Sequence, residues 1–186
     1  MRVFIACEFS AVVREAFRAL GHDAVSCDLM ESEQPGPHIV GDVFDHLNDG
    51  WDLMVFFWPC TNMAGSGARW FEAKREAQTR DIECFKRLAT CESIPRIAGE
   101  NPVGVLSTRF RKPDQIIQPF HFGDPFRKTT CLWLKGLPKL TKTNDLGTGK
   151  QACWLEPPHP DRWKRRSRTY PGIARAMAQQ WGSLNE

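Results

Sequence analysis

The chain has 186 residues, 41% of them hydrophobic, enough to bury a core and too few for two comfortable domains. Its net charge is only +3 with both signs interspersed, and its longest apolar run, 53–58, is far too short to cross a bilayer, which excludes a disordered chain and a helical membrane protein. The first residues lack a signal-peptide pattern, and of seven cysteines without a C-x-x-C pair six read as buried free thiols, so a cytoplasmic location and no metal are expected.

Residues 2–7 read as a buried strand. Val12, Val13, Ala16, Phe17 and Leu20 then recur at helical spacing up to the stop signal Gly21. A second strand, 23–27, ends at Asp28, about twenty residues after the first loop, the spacing at which nucleotide-binding sheets place an acid on a ribose. A short third strand, 38–43, contains Gly41-Asp42, and a fourth, 53–58, is bounded by Asn48-Asp49-Gly50 and by Pro59. A helix over 71–91 follows, with Ile82, Phe85, Leu88 and Ala89 as its buried stripe, and 96–99 is the fifth strand.

This alternation predicts an α/β fold, a doubly wound and mostly parallel sheet with helices on both faces. Beyond Pro102 the pattern turns to Pro- and Gly-rich segments. Within them 130–134 is the clearest strand, and 137–159 reads as loop. A last helix starting near Gly172 carries Ile173, Ala176, Met177 and Trp181 on one face.

Two apolar runs end in groups that carry chemistry. Cys60 follows Pro59 at the end of the fourth strand and precedes a polar, glycine-containing loop, 61–67, able to close over a ligand. A thiol attacks only as thiolate, and Lys128 and Arg127 are the candidate cations to favour that form. Glu100 closes the run Ile97-Ala98-Gly99, so it favours protonation unless paired and can give a proton to a ring nitrogen or hold an exocyclic amine. Asp28 and Asp42 end successive strands and together suit a ribose and an adenine amine, while each alone reads equally well as a turn residue. The loop 7–12 has no glycine, which disfavours a phosphate cradle and with it NAD, FAD and ATP. Near the C-terminus Arg162, Lys164, Arg165, Arg166 and Arg168 form either a solvated face or a contact for nucleic-acid phosphates.

Several short motifs follow one another in a telling order: Ile5-Ala6-Cys7-Glu8-Phe9-Ser10-Ala11, Asp28, Gly41-Asp42-Val43, Pro59-Cys60 and Glu100-Asn101-Pro102-Val103. Phe122-Gly123-Asp124-Pro125 with Lys128, and Tyr170-Pro171-Gly172-Ile173, complete the series. In this order the chain resembles the DNA cytosine-5 methyltransferase family, most closely its short phage and prophage members. The resemblance implies a Rossmann-like S-adenosylmethionine-dependent methyltransferase fold over 1–186, in the cytoplasm of a bacterium or a phage-infected host. It implies methyl transfer from S-adenosylmethionine to C5 of cytosine in DNA, with the Cys60 thiolate adding to C6, Glu100 on N3 and the 4-amino group, and Lys128 in support. Cofactor contacts are implied for Cys7, Glu8, Phe9, Ser10, Asp28, Leu29, Asp42, Val43 and Pro59. Nucleic-acid contacts are implied for Pro59, Thr61, Asn62, Ser66, Asn101, Arg127, Arg165, Arg166 and Arg168. The closing helix at Gly172 is expected to pack beside the first strand.

The chain also departs from the family pattern. The cofactor loop lacks glycines, Trp58 stands where a small residue or proline is usual and is expected to narrow or reshape the pocket, and Lys128 replaces an arginine pair. A loop-rich basic segment, 135–168, stands in place of a separate target-recognition domain, so specificity is slight, local, or supplied by a protein partner or a homodimer. Two other readings fit the same residues: a C5-modifying transferase acting on a nucleotide or an RNA pyrimidine, and a non-catalytic nucleic-acid-binding protein that kept the fold.

Overall fold

The computed structural model describes residues 1–151 and 157–184. Cys153, counted above among the buried thiols, lies outside the described residues; the six described cysteines are free.

Seven strands form one sheet: β1 (Arg2–Ala6), β2 (Asp23–Asp28), β3 (His38–Val40), β4 (Leu53–Phe56), β5 (Arg96–Pro102), β6 (Gln115–Ile117) and β7 (Thr130–Lys135). Their order is β3-β2-β1-β4-β5-β7-β6. The first five run parallel, β7 runs antiparallel to β5, and β6 runs antiparallel to β7. The architecture is α/β with a mostly parallel mixed sheet, compatible with a Rossmann-like fold. The helices are α1 (Val12–Arg18), α2 (Arg75–Ala89), α3 (Leu106–Arg109), α4 (Arg162–Ser167) and α5 (Pro171–Gly182). Among the described residues no helix is long and apolar enough to cross a membrane.

Strand alternation sends neighbouring side chains to opposite faces, and each face has its own core. Val3, Ile5, Val55 and Leu132 pack with Val13 and Phe17 of α1 and with Ile173, Met177 and Trp181 of α5. Phe4, Met54, Phe56, Ile97 and Trp133 pack on the other face with Ile82, Phe85 and Leu88 of α2. There Phe85 stands edge-on to Phe56 and Trp133, with centroids 4.9 and 5.2 Å away. Gly99 makes that cluster possible, because a Cβ on it would collide with the Phe56 and Phe85 rings. All four residues expected to form the α2 stripe are buried, and so are Ile173, Ala176, Met177 and Trp181 of α5.

Boundaries differ from the expected ones for identifiable reasons. β3 stops at Val40, because Asp42 instead caps a 3₁₀ turn, Val43–His46, by accepting the Phe44 N–H at 2.9 Å. β4 stops at Phe56, ahead of Pro59, which has no N–H to offer a ladder. β5 runs past Gly99 to Pro102 because the antiparallel β7 pairs with it, Glu100 opposite Leu132 and Asn101 opposite Cys131. Residues 65–70 coil into a 3₁₀ helix, so α2 begins only at Arg75. The three-residue β6 was not foreseen; it is too short to show a period between Pro113 and Pro119. The basic run, expected within a loop-rich segment, is helical as α4.

The first loop takes glycine-like geometry without glycine. Cys7 and Ala11 have φ of 59° and 62°, the left-handed region that costs an L-residue about 1–2 kcal/mol. Ala11→Gly relieves that strain at some cost in unfolded-chain entropy. The net expectation is a gain of about 0.5–1 kcal/mol, read as a Tm rise of about 2 °C by thermal denaturation. A lower Tm would mean that the buried Ala11 methyl outweighs the strain.

Candidate active site

In open α/β sheets ligands bind beyond the carboxyl ends of the strands where the strand order reverses, here between β1 and β4. The loops after β1, β2 and β4 and the end of β5 meet at that edge, and they carry the residues singled out from the sequence.

After β1 the chain turns inward at Glu8, which is 4% exposed. Its carboxylate accepts the backbone N–H groups of Val13 and Arg14 at 2.7 and 3.1 Å, and the Ser10 hydroxyl donates to it at 3.3 Å. The positive end of α1 is thus filled by the chain's own carboxylate, and a cofactor phosphate has no helix terminus to bind. Glu8 and Ser10 face the protein interior, so their side chains build the loop. Burial raises the Glu8 carboxyl from 4.5 to about 6, against the lowering effect of these hydrogen bonds and of the Arg14 charge. The folded protein therefore holds this proton more tightly than the unfolded chain. Stability should fall by about 2 kcal/mol as pH rises from 4.5 to 6. Urea denaturation across that window checks the slope, which Glu8→Gln should flatten.

Asp28, Asp42 and Cys7 converge on one side of the crevice, where both carboxylates lie close enough to Cys7 to oppose its ionisation after burial has done so. Asp28 accepts the Met30 N–H at 3.0 Å through one oxygen, and Asp42 accepts from Phe44. Both are thus turn residues that also lie near Cys7. Leu29, directly after Asp28, is 78% exposed, whereas Val43 is buried. Phe9 lies under Trp163 of α4, their ring centroids 6.0 Å apart.

The loop that carries Cys60 leaves β4 with Phe57 toward the α5 face and Trp58 toward the α2 face. Trp58 packs against Phe44 with ring centroids 5.8 Å apart, and Phe57 lines the crevice at Glu100. Buried Asn101 donates from Nδ2 to the Trp58 carbonyl at 2.8 Å and ties the end of β5 to this turn. Pro59, Cys60, Thr61 and Ser66 are exposed. The Cys60 carbonyl accepts the Met63 and Ala64 N–H groups, Ala64 bridges to Gly104, and Gly104 has no room for a Cβ against the Met63 carbonyl. Asn62 donates to Asp81 and accepts from Gln78, both on α2, at 2.8 Å each. The loop that presents the thiol is held from two sides.

By surface area Cys60 is exposed, yet the protein crowded around it raises its thiol, as does the Glu100 carboxylate; Lys128 and Arg166 pull it down. Burial also raises the Glu100 carboxyl, opposed by Lys128. Cys60, Glu100, Lys128 and Arg166 therefore share one electrostatic site. Arg127 does not join it: its guanidinium faces Thr148 at 3.5 Å, correcting its assignment beside Lys128 as a cation for the thiol. The Lys128 ammonium donates to the backbone carbonyls of Arg166 and Arg168 at 2.9 and 3.4 Å. Arg168 pairs with Glu33 at 2.6 Å. The basic run is thus a strap across the crevice, and the expectation of a purely solvated face gives way.

The sequence did not single out Glu33, Phe57 or Trp163 as part of this site; each meets it through a contact distant in the chain. Among the described residues no group of His, Cys, Asp and Glu is arranged to hold a metal. No protein-family model matches the chain, and no curated protein matches it.

Proposed function

We propose that the protein is a DNA cytosine-5 methyltransferase-like enzyme that uses S-adenosylmethionine and forms a covalent adduct through Cys60. The observation that carries this reading is the convergence of Cys60, Glu100 and Lys128 at the carboxyl ends of β4 and β5, beside the reversal of strand order. Further support comes from α5, whose Ile173, Met177 and Trp181 pack in one core with Val3 and Ile5 of β1, as the resemblance leads one to expect. The loop after β1 fits a cofactor without phosphate, since Glu8 occupies the helix terminus a phosphate would need. Asp28 and Asp42 would hold its ribose and adenine amine, with Leu29 as an apolar platform.

In this reading the Cys60 sulfur bonds to C6 of cytosine while protonated Glu100 gives its proton to N3. Electron density then collects at C5. S-adenosylmethionine supplies the electrophilic methyl group. A solvent base takes the C5 proton, the 5,6 double bond re-forms as the sulfur leaves as thiolate, and N3 returns its proton to Glu100. Lys128 stabilises the thiolate before attack and the Glu100 carboxylate after proton transfer. The space among Phe57, Glu100, Lys128, Tyr170 and Ile173 is about 10 Å³, room for one water. A cytosine, flipped from a duplex or presented in a single strand, therefore enters only when Lys128 and the segment 166–170 that it holds shift.

The test is covalent trapping on DNA carrying 5-fluorocytosine, with S-adenosylmethionine present. A denaturation-resistant protein–DNA adduct is expected. Its absence, with cofactor binding established, removes DNA as substrate, and a free pyrimidine nucleotide or RNA is then assayed in its place.

The strap's positive charge suits DNA phosphates. Reversing Lys164 and Arg165 to glutamate is expected to weaken DNA binding and to flatten its dependence on salt by about two units of log–log slope. Anisotropy titrations at several salt concentrations measure this, and an unchanged slope assigns the phosphate contacts elsewhere.

A further inference from the structure

Behind the nucleophile loop lies a groove of about 510 Å³ that the proposed reaction leaves unused. Phe71, Glu72, Arg75, Gln78, Thr79 and Arg109 line it, from the approach and first turns of α2 and the end of α3. Arg75 and Arg109 are exposed, and among the described residues neither has a carboxylate within ion-pair distance. Just before the groove Trp70 is 54% exposed, with the Arg69 guanidinium 5.2 Å from its ring centroid. The two arginines face a single lining acid, Glu72, so the groove carries an excess of positive charge.

The groove is built on the framework that holds Cys60. Gln78 lines it and donates to the carbonyl of Asn62, two residues past the nucleophile. The other wall begins where Gly104 bridges to Ala64 and the Val105 N–H donates to the Met63 carbonyl at 3.0 Å. The groove and the loop that carries the thiol thus share their attachments at Asn62, Met63 and Ala64.

We propose that this groove binds the sugar-phosphate backbone of the DNA strand that carries the target cytosine, with Arg75 and Arg109 on neighbouring phosphates and Trp70 stacked on an adjacent unpaired base. Guanidinium groups bind phosphate oxygens in a bidentate manner, and an exposed indole stacks on any base. Contacts of this kind position a strand without reading its sequence. The inference rests on DNA being the substrate.

The test compares the full chain with Arg75→Gln/Arg109→Gln and with Trp70→Ala. Each is measured for S-adenosylmethionine binding by calorimetry, for DNA affinity against salt, and for 5-fluorocytosine adduct at saturating DNA. The double variant should bind S-adenosylmethionine as the unaltered protein does and reach the same final adduct. Its DNA affinity should fall at least tenfold, with a log–log salt slope shallower by about 1.4–1.8. Trp70→Ala should weaken single-strand binding by about tenfold with the salt slope unchanged. Unaltered affinity and slope in the double variant, in a protein that still traps DNA, overturn the groove alone. Failure of the unaltered protein to bind DNA at all overturns the DNA reading and the groove together.

Discussion

Cys60→Ser should abolish the covalent adduct and lower methyl transfer by about 10³-fold or more, while S-adenosylmethionine binding stays as it was. Serine keeps the size of the side chain and loses the nucleophile, because a hydroxyl is a far weaker acid than a thiol and forms no useful anion even beside Lys128 and Arg166. Glu100→Gln should cost about 10²–10⁴-fold, since an amide still hydrogen-bonds the base but has no proton to give N3. The two groups titrate in opposite senses. Attack needs Cys60 ionised, which favours higher pH, and proton donation needs Glu100 protonated, which favours lower pH. Both are raised by burial, so the rate should be bell-shaped in pH. Lys128→Met removes a charge that lowers both groups and should move both limbs upward. A Cys60→Ser protein that still forms adduct would place the nucleophile elsewhere and end the proposed reading.

Arg14→Met should destabilise the fold by about 3–5 kcal/mol, because several hydroxyl and carbonyl partners lose their donor at about 1–3 kcal/mol for each one left buried. Its side chain is fully buried. The guanidinium donates to the Ser26 and Ser32 hydroxyls at 3.1 and 3.2 Å and to the carbonyls of Gln34, Pro35 and Pro37 at 3.1, 2.9 and 3.4 Å. Its Nε pairs with Glu15 at 2.7 Å. The loop 31–37 is therefore folded around one cation, and Gly36, at φ 136°, comes so close that a Cβ would lie 2.9 Å from the guanidinium. Methionine fills the volume and leaves those carbonyls without donors. A Tm lowered by about 10 °C is expected, and Arg14→Lys should not rescue it, because one ammonium cannot reach six acceptors. Since Glu33 of that loop holds Arg168, loosening the loop should also loosen the strap over the crevice. A loss below about 1 kcal/mol would mean that water reaches the loop carbonyls.

Local sequence determined the parallel half of the protein. Short apolar runs broken by Gly, Asp and Pro carry their own periods, so β1 to β5, α1 and the stripe of α2 were legible within a few residues. The order of Asp28, Asp42, Cys60 and Glu100 along successive strand ends placed them on one edge, because in a parallel sheet every carboxyl end points the same way. Tertiary structure alone decided what surrounds them. The extension of β5 through Glu100 and Asn101 depends on β7, about thirty residues away, and β6 has no period of its own. Left-handed backbone at Cys7 and Ala11 could not be read from residues that ordinarily avoid it. The closure of the crevice by Lys128 on the strap, by Arg168 on Glu33 and by Trp163 on Phe9 joins segments up to 154 residues apart. Periodicity is set by neighbours along the chain and survives in the sequence; contacts between remote segments are set by the folded surface and leave no local signal.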